Sequence, residues 1–188
     1  MKIGPKYRVP FKRRLKGQTN YRRRLRLLLS GKPRLVVRKS LRYIRAQIIE
    51  FHPRGDRVLV SASSQELKKF GWKGSALNIP SSYLVGLLIG KRALKKRIKS
   101  AVLDIGVQKS IKGSRIYALL KGVMDAGLKV PHSPDVLPPE DRIKGEHIVK
   151  YAKELKEGNK ERYRIQFSRT NPEELPRMFE EVKSKIVG

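Results

Sequence analysis

Cysteine is absent from the 188 residues, which removes disulfides and thiolate metal sites and suits a reducing compartment. Acid is scarce in a patterned way: the first is Glu50, and only Asp56, Glu66, Asp104 and Asp125 follow before Asp135. None of these five has a ligand-like neighbour at helix or strand spacing, so metal-dependent or paired-carboxylate catalysis finds little material. Asp104, on a candidate strand beside buried positions, reads as a structural hydrogen-bond acceptor; the competing reading is a nuclease with Asp104 as metal ligand. Histidine occurs only at 52, 132 and 147. Pro131-His132-Ser133-Pro134-Asp135 holds serine, histidine and aspartate together, but sequential neighbours in a proline-rich loop cannot adopt triad geometry. No G-x-x-x-x-G-K-[ST] motif is present; Lys109, Lys112, Gly113 and Ser114 resemble one only loosely. The longest apolar run, Tyr83 to Ile89, is too short to span a bilayer. The opening Met1-Lys2-Ile3-Gly4-Pro5-Lys6 lacks the apolar core of a secretory signal. The expectation is a soluble cytoplasmic protein, not an enzyme, with no cofactor, no metal and no membrane partner.

What the chain has instead is positive charge. Its 45 Lys and Arg against 16 acids give +29 and a pI near 10.8, so self-repulsion strains the compact state until an anion neutralises it. The charge is uneven. From Asp135 onward twelve basic residues face eleven acids, for a net of +1, which leaves +28 on residues 1–134. Eleven Lys and Arg precede Gly31 without one acid among them, and on sequence alone they have no internal partners. Arginine adds a planar fork of donors suited to phosphate oxygens and base edges.

Glycines and prolines at 4, 5, 10 and 17 prevent one regular element in the first half of residues 1–31, so an extended basic arm is expected, ending in a short helix capped by Thr19-Asn20. That helix would place Leu25, Leu28 and Leu29 on one face. Arg34 to Arg38, Ile44 to Phe51 and Arg57 to Ser63 are short β-branched runs, the last two joined by the turn Pro53-Arg54-Gly55-Asp56, and predict a three-stranded antiparallel meander. Alternation puts Leu35, Val37, Ile44, Ala46 and Ile48 on one face and Arg34, Val36, Arg38, Arg45 and Gln47 on the other. Pro80 opens a helix through about Lys99 whose last turns, Lys91 to Lys99, form a second basic patch. Gly86 and Gly90 within it suggest close packing against the sheet. Ala101 to Ile105 reads as a strand parallel to a meander strand, Arg115 to Ala126 as a helix closed by Gly127, and Leu128 to Val130 as a short strand. Helices are expected over Asp141 to Glu157 and Pro172 to Lys185. The fold class is α/β: a mixed sheet with an N-terminal meander, crossover helices on both faces, a basic arm and a helical tail. Its parts are an arm over 1–31, a globular domain over 32–134 and a charge-balanced helical extension over 135–188.

Several separated motifs resemble one family in the right order: Asn20-Tyr21-Arg22-Arg23-Arg24-Leu25, Lys32-Pro33-Arg34-Leu35-Val36-Val37-Arg38-Lys39-Ser40, Ile44-Arg45-Ala46-Gln47-Ile48, Ala118-Leu119-Leu120-Lys121-Gly122, and Asp125 to Ser133. They are similar to the large-subunit ribosomal protein eighteen family in its archaeal form, related to the eukaryotic large-subunit protein five. Arg162 to Ser168 looks like the segment before that family's last helix. Leu41 departs from the pattern, standing where many relatives carry asparagine or threonine. The resemblance implies a ribonuclease-H-like arrangement and a structural constituent of the large ribosomal subunit that binds 5S rRNA and attaches it to form the central protuberance. Implied partners are 5S rRNA, large-subunit rRNA and neighbouring large-subunit proteins, including the other 5S-associated protein. The alternative on charge alone is a non-specific nucleic-acid-compacting protein.

The candidate RNA-binding residues follow from both arguments. On the arm they are Lys6, Arg8, Lys12, Arg13, Arg14 and Lys16; on the arginine helix, Tyr21, Arg22, Arg23, Arg24 and Arg26. On the sheet and its first hairpin they are Arg34, Arg38, Lys39, Ser40, Arg42, Tyr43, Arg45 and Gln47, with Lys95 and Lys96 from the second patch. Tyr7, Tyr21 and Tyr43, set among arginines, could stack on unpaired bases.

Overall fold

The computed structural model describes Gly4 and residues 7–158, 160–168 and 170–188. Four strands form one sheet in the order β3-β2-β1-β4. Strands β1 (Arg34–Lys39), β2 (Ile44–Glu50) and β3 (Arg57–Ser63) make the expected antiparallel meander. Strand β4 (Val102–Asp104) adds parallel to β1, with Arg34 opposite Val102. The alternation also holds: Leu35, Val37, Ile44, Ala46 and Ile48 are fully buried on one face.

That face is covered by α3 (Ile79–Lys95), and α4 (Arg115–Asp125) packs on α3. Helix α3 begins where Asn78 accepts the Ser81 N–H, with Pro80 in the first turn. It ends four residues before the expected Lys99, because the chain reverses at Arg97 in the left-handed region. Gly86 and Gly90 do allow close packing, but against α4 rather than the sheet. A methyl on Gly86 would lie 2.0 Å from the Leu119 carbonyl oxygen, and one on Gly122 2.1 Å from that of Tyr83. Leu128 to Val130 is not a strand; it makes a single parallel bridge, Ser100 to Lys129, at the edge of β4.

Two short helices precede the sheet, α1 (Lys12–Leu15) and α2 (Tyr21–Leu28), the latter capped by Asn20 accepting the Arg23 N–H. The expected leucine face of α2 is not buried: Leu25 is 60 % and Leu29 79 % exposed, and polar contacts hold the helix to the sheet. The tail contains α5 (Glu140–Lys144), α6 (Glu146–Gly158), α7 (Lys160–Gln166) and α8 (Leu175–Val187). The single helix expected over 141–157 is broken at Gly145, whose φ of +90° turns the chain. Leu175, Phe179, Val182 and Ile186 of α8 are buried in the same core as α3.

Candidate nucleic-acid interface

The second face of the sheet carries the basic residues. Alternation in β1 points Arg34, Val36 and Arg38 this way, and their partners Ile49, Gln47 and Arg45 in β2 share the face. Asp104 pairs with Val36 across the parallel ladder and so joins them. Helix α2 and the residues before it lie over part of this face. The two layers enclose a cleft of roughly 440 Å³ lined by Arg13, Thr19, Asn20, Arg23, Arg24, Arg38 and Gly106, with Arg34, Asp56 and Asp104 among its walls.

An ion network closes the inner side of the cleft. Arg34 is only 4 % exposed; one guanidinium nitrogen donates to Asp104 Oδ2 at 2.7 Å and the other to Asp56 Oδ2. Arg24 donates to both oxygens of Asp56 at 2.9 and 3.0 Å, and Arg23 donates to the Gly106 carbonyl at 2.9 Å. Asp104 Oδ1 accepts the Gly106 N–H, so each carboxylate is held by more than one hydrogen bond within the protein. Two sequence-based expectations change here. The arginines before Gly31 are not all without internal partners, because Asp56, 32 residues beyond Arg24, reaches it through the β2–β3 turn. Arg34 is not a platform side chain open to a polyanion; it is the buried tie between the sheet and α2.

The remaining predicted residues divide by exposure. Arg8, Lys12, Arg14, Lys16, Arg22 and Arg26 are exposed on the arm and α2, and Arg13 donates to Thr19 Oγ1 at 3.0 Å while staying exposed. Lys6 lies outside the described residues. On the sheet Arg38, Lys39 and Arg45 are exposed and Gln47 is half-buried; Arg38 lies over Gly106, within 2.5 Å of where a Cβ there would be. Gly106 has a φ of +61°, in the left-handed region that favours glycine, and a side chain there would displace the guanidinium.

Ser40 organises the β1–β2 turn. Its N–H and hydroxyl donate to the Tyr43 carbonyl at 2.8 and 3.1 Å, and its oxygen accepts the Tyr43 N–H at 3.0 Å. It is a turn residue, leaving Arg42 exposed and Leu41 97 % exposed at the tip. Leu41, Arg42 and half-buried Tyr43 line a wider groove of roughly 890 Å³ together with Ile165 and Phe167 of the tail. Tyr21 packs at 5.3 Å against the ring of Phe11, and Tyr7 is half exposed.

The second basic patch is partly occupied with its own fold. Arg92 donates to the Ser61 carbonyl and to Glu66, and Lys96 donates to the Leu59 carbonyl, covering acceptors on the open edge of β3. Lys96 is therefore an edge-capping side chain, whereas Lys95 is exposed. Asp56 and Gly106 were missed by sequence reasoning; the Pro53–Asp56 segment signalled a turn, but nothing local told which cation the aspartate would meet. Among the described residues no cluster of acids and histidines could hold a metal ion.

The family model for ribosomal large subunit proteins 60S L5 and 50S L18 matches residues 5–100 and 95–133, well over half of the chain. The chain belongs to this family. It is a family of large-subunit ribosomal proteins, so ribonucleoprotein assembly, rRNA binding and translation are its setting, and it is a structural family rather than a class of enzyme. The match takes in the arm, α2, the whole sheet, α3 and α4, that is, every residue lining the cleft. The tail from residue 134 lies beyond it. No helix among the described residues is long and apolar enough to cross a membrane.

Proposed function

We propose that this ribosomal protein binds 5S rRNA through the arm, α2 and the exposed side chains of the second sheet face, and so attaches it to the large subunit at the central protuberance. The observation that carries the reading is the division of labour among neighbouring arginines. Arg34, Arg23 and Arg24 bond to the protein itself, while Arg22, Arg26, Arg38 and Arg45 stay exposed beside them on a rigid support. Neutralising RNA phosphates with such a set releases condensed counterions, which supplies affinity, while the fixed spacing on sheet and helix supplies register. Ser40, Lys39 and Arg42 continue the surface to the hairpin tip, and Lys12, Arg14 and Lys16 extend it along the arm. Large-subunit rRNA is the other nucleic-acid partner, and neighbouring large-subunit proteins, including the second 5S-associated one, meet the tail. The place of work is the ribosome in the cytoplasm.

The test uses a 5S rRNA transcript with the full chain and its Arg38→Gln/Arg45→Gln variant. Each phosphate contact removed lowers the slope of log K against log salt by about one. The double variant is expected to bind at least tenfold more weakly with a slope flatter by about two. Unlabelled duplex DNA of equal length should compete poorly. Equal affinity for DNA would replace this reading with non-specific compaction, and an unchanged salt slope in the variant would remove the sheet from the interface.

A further inference from the structure

Apart from Arg42, no residue lining the groove beside the β1–β2 turn is among the RNA contacts proposed above, and the groove shares no lining residue with the cleft beneath α2. Distant parts of the chain build it: the hairpin tip at Leu41 and Tyr43, residues 73–78 ahead of α3, and Ile165 and Phe167 of the tail. The tail is bonded to the segment ahead of α3. The Thr170 hydroxyl donates to the Lys73 carbonyl at 2.9 Å, and the Lys73 N–H donates to Met178 Sδ at 3.2 Å. Ser40 fixes the hairpin tip through the hydrogen bonds of its turn. The elements that line the groove are therefore each held by the fold.

Its chemistry combines aliphatic surface with charge of one sign. Leu41 is 97 % and Ile165 71 % exposed, so two aliphatic side chains stand in water at a concavity that also holds Leu77, Ile148 and Phe167. Apolar surface grouped in this way is unfavourably hydrated, and burial under another apolar surface recovers that free energy. The lining cations are Arg42, Lys68 and Lys73. All three are exposed, none of their side chains has a bonding partner among the described residues, and no described carboxylate lines the groove. An RNA backbone would engage the cations but gain nothing from Leu41 and Ile165. A small molecule is held by burying most of its surface, whereas these two side chains lie open to solvent. A peptide segment with carboxylates set among aliphatic or aromatic side chains answers both features.

We propose that this groove docks an acidic, apolar-anchored segment of a neighbouring protein, with Leu41, Ile165 and Phe167 covering its apolar side chains and Lys68 and Lys73 pairing with its carboxylates. The proposal deepens the reading that neighbouring large-subunit proteins meet the tail and rests on it, but it does not depend on which RNA the chain binds. The family match ends at residue 133, so Leu41, Lys68 and Lys73 belong to the matched region and Ile165 and Phe167 do not. The tail thus completes a protein-docking surface that the matched region supplies only in part.

The experiment places a benzophenone photo-crosslinker in place of Leu41 or of Ile165 in the full chain, assembled into large ribosomal subunits, and identifies the products by mass spectrometry. Both positions are expected to crosslink to one and the same protein segment, with net negative charge and with leucine, isoleucine or phenylalanine within it. Crosslinks to rRNA, to a second copy of this chain or to a basic segment, or no product at either position, overturn the proposal. The chemistry is measured separately with a short fluorescent peptide alternating glutamate with leucine and phenylalanine, against one with serine at the apolar positions. The first peptide is expected to bind the wild type and to bind Leu41→Ser/Ile165→Ser about tenfold more weakly. Lys68→Gln/Lys73→Gln should weaken it too and flatten its salt dependence. Unfolding midpoints of both variants are expected to be unchanged, because all four side chains are exposed. Equal binding of the two peptides, or equal binding by wild type and Leu41→Ser/Ile165→Ser, also overturns the site. Affinity for 5S transcript should stay within about twofold in that variant, and its loss would assign the groove to RNA instead. A wild type that fails to bind 5S transcript would sink the RNA-binding reading, and the crosslinked segment would still decide this site.

Discussion

Gly86 and Gly122 face each other's helices so closely that added methyl groups would meet backbone carbonyl oxygens of Leu119 and Tyr83 near 2 Å. In an ordinary helix interior, glycine to alanine stabilises by about 0.5–1 kcal/mol. Here the sign reverses, because the clash is with backbone and α3 and α4 must separate. Gly86→Ala or Gly122→Ala is expected to lose about 3 kcal/mol in urea unfolding. Gly158→Ala, where nothing lies within 4 Å, should be neutral or slightly stabilising by the same measurement. His147 gives a residue-scale pH effect. Burial, then the charge of Arg142, holds it below its ordinary pKa of 6.5, and its Nδ1 is buried without a partner. The unfolded chain therefore binds the proton more readily, so this contribution is full above pH 6.5 and lost as pH falls through the lower folded value. Unfolding midpoints should drop on acidification below that pH, and His147→Gln should flatten that part of the curve.

Helix α2 illustrates an element whose position rests on ions rather than on a core. It buries no residue completely, and its ties are Arg24 to Asp56 and Arg23 to the Gly106 carbonyl. Eight residues are too few for a helix to be stable in isolation, so docking and helicity rise and fall together. Arg24→Gln is expected to increase amide exchange across residues 21–28 at least tenfold, leaving β1 and β2 protected, while Arg22→Gln leaves exchange unchanged. Equal exchange in all three proteins would remove the network from the docking of α2. Asp56→Asn should do more, since Arg34 also loses a partner in a buried setting; a loss of about 2–3 kcal/mol in global stability is expected, short of the full penalty because Asp104 remains.

At the scale of the molecule, the charge asymmetry and the packing do not divide at the same place. Residues from 135 onward are nearly neutral in net charge, yet α8 inserts Leu175, Phe179, Val182 and Ile186 into the core beside α3, with the Phe179 ring 5.5 Å from that of Tyr83. Each buried side chain of this size contributes about 1.5–3 kcal/mol, and four of them approach the total stability of a typical domain, about 5–15 kcal/mol. Ending the chain before Pro172 is therefore expected to abolish cooperative unfolding and expose Tyr83 and Leu84, read as dye binding and loss of near-ultraviolet dichroism at Trp72. A truncated chain with an intact transition would show the tail to be an appendage.

The meander, the partition of Leu35, Val37, Ile44, Ala46 and Ile48 from Arg38 and Arg45, the Asn20 cap and the parallel strand after α3 were all legible because each follows from local period, turn chemistry or connection length. The charge asymmetry was legible too, since +28 on residues 1–134 has too few acids to answer it and points toward a polyanion. Which arginines are free was decided only in three dimensions. Arg34 and Arg38 look alike in a strand pattern. One meets Asp56 and Asp104, brought from 22 and 70 residues away, and the other meets solvent over Gly106. The same holds for the glycines of α3, whose partner helix is named by no local signal, and for the leucines of α2, which ionic docking leaves outside the core. Local rules fix the direction of a side chain relative to its own element; whether that direction ends in an ion pair or in water depends on contacts between residues far apart in the chain.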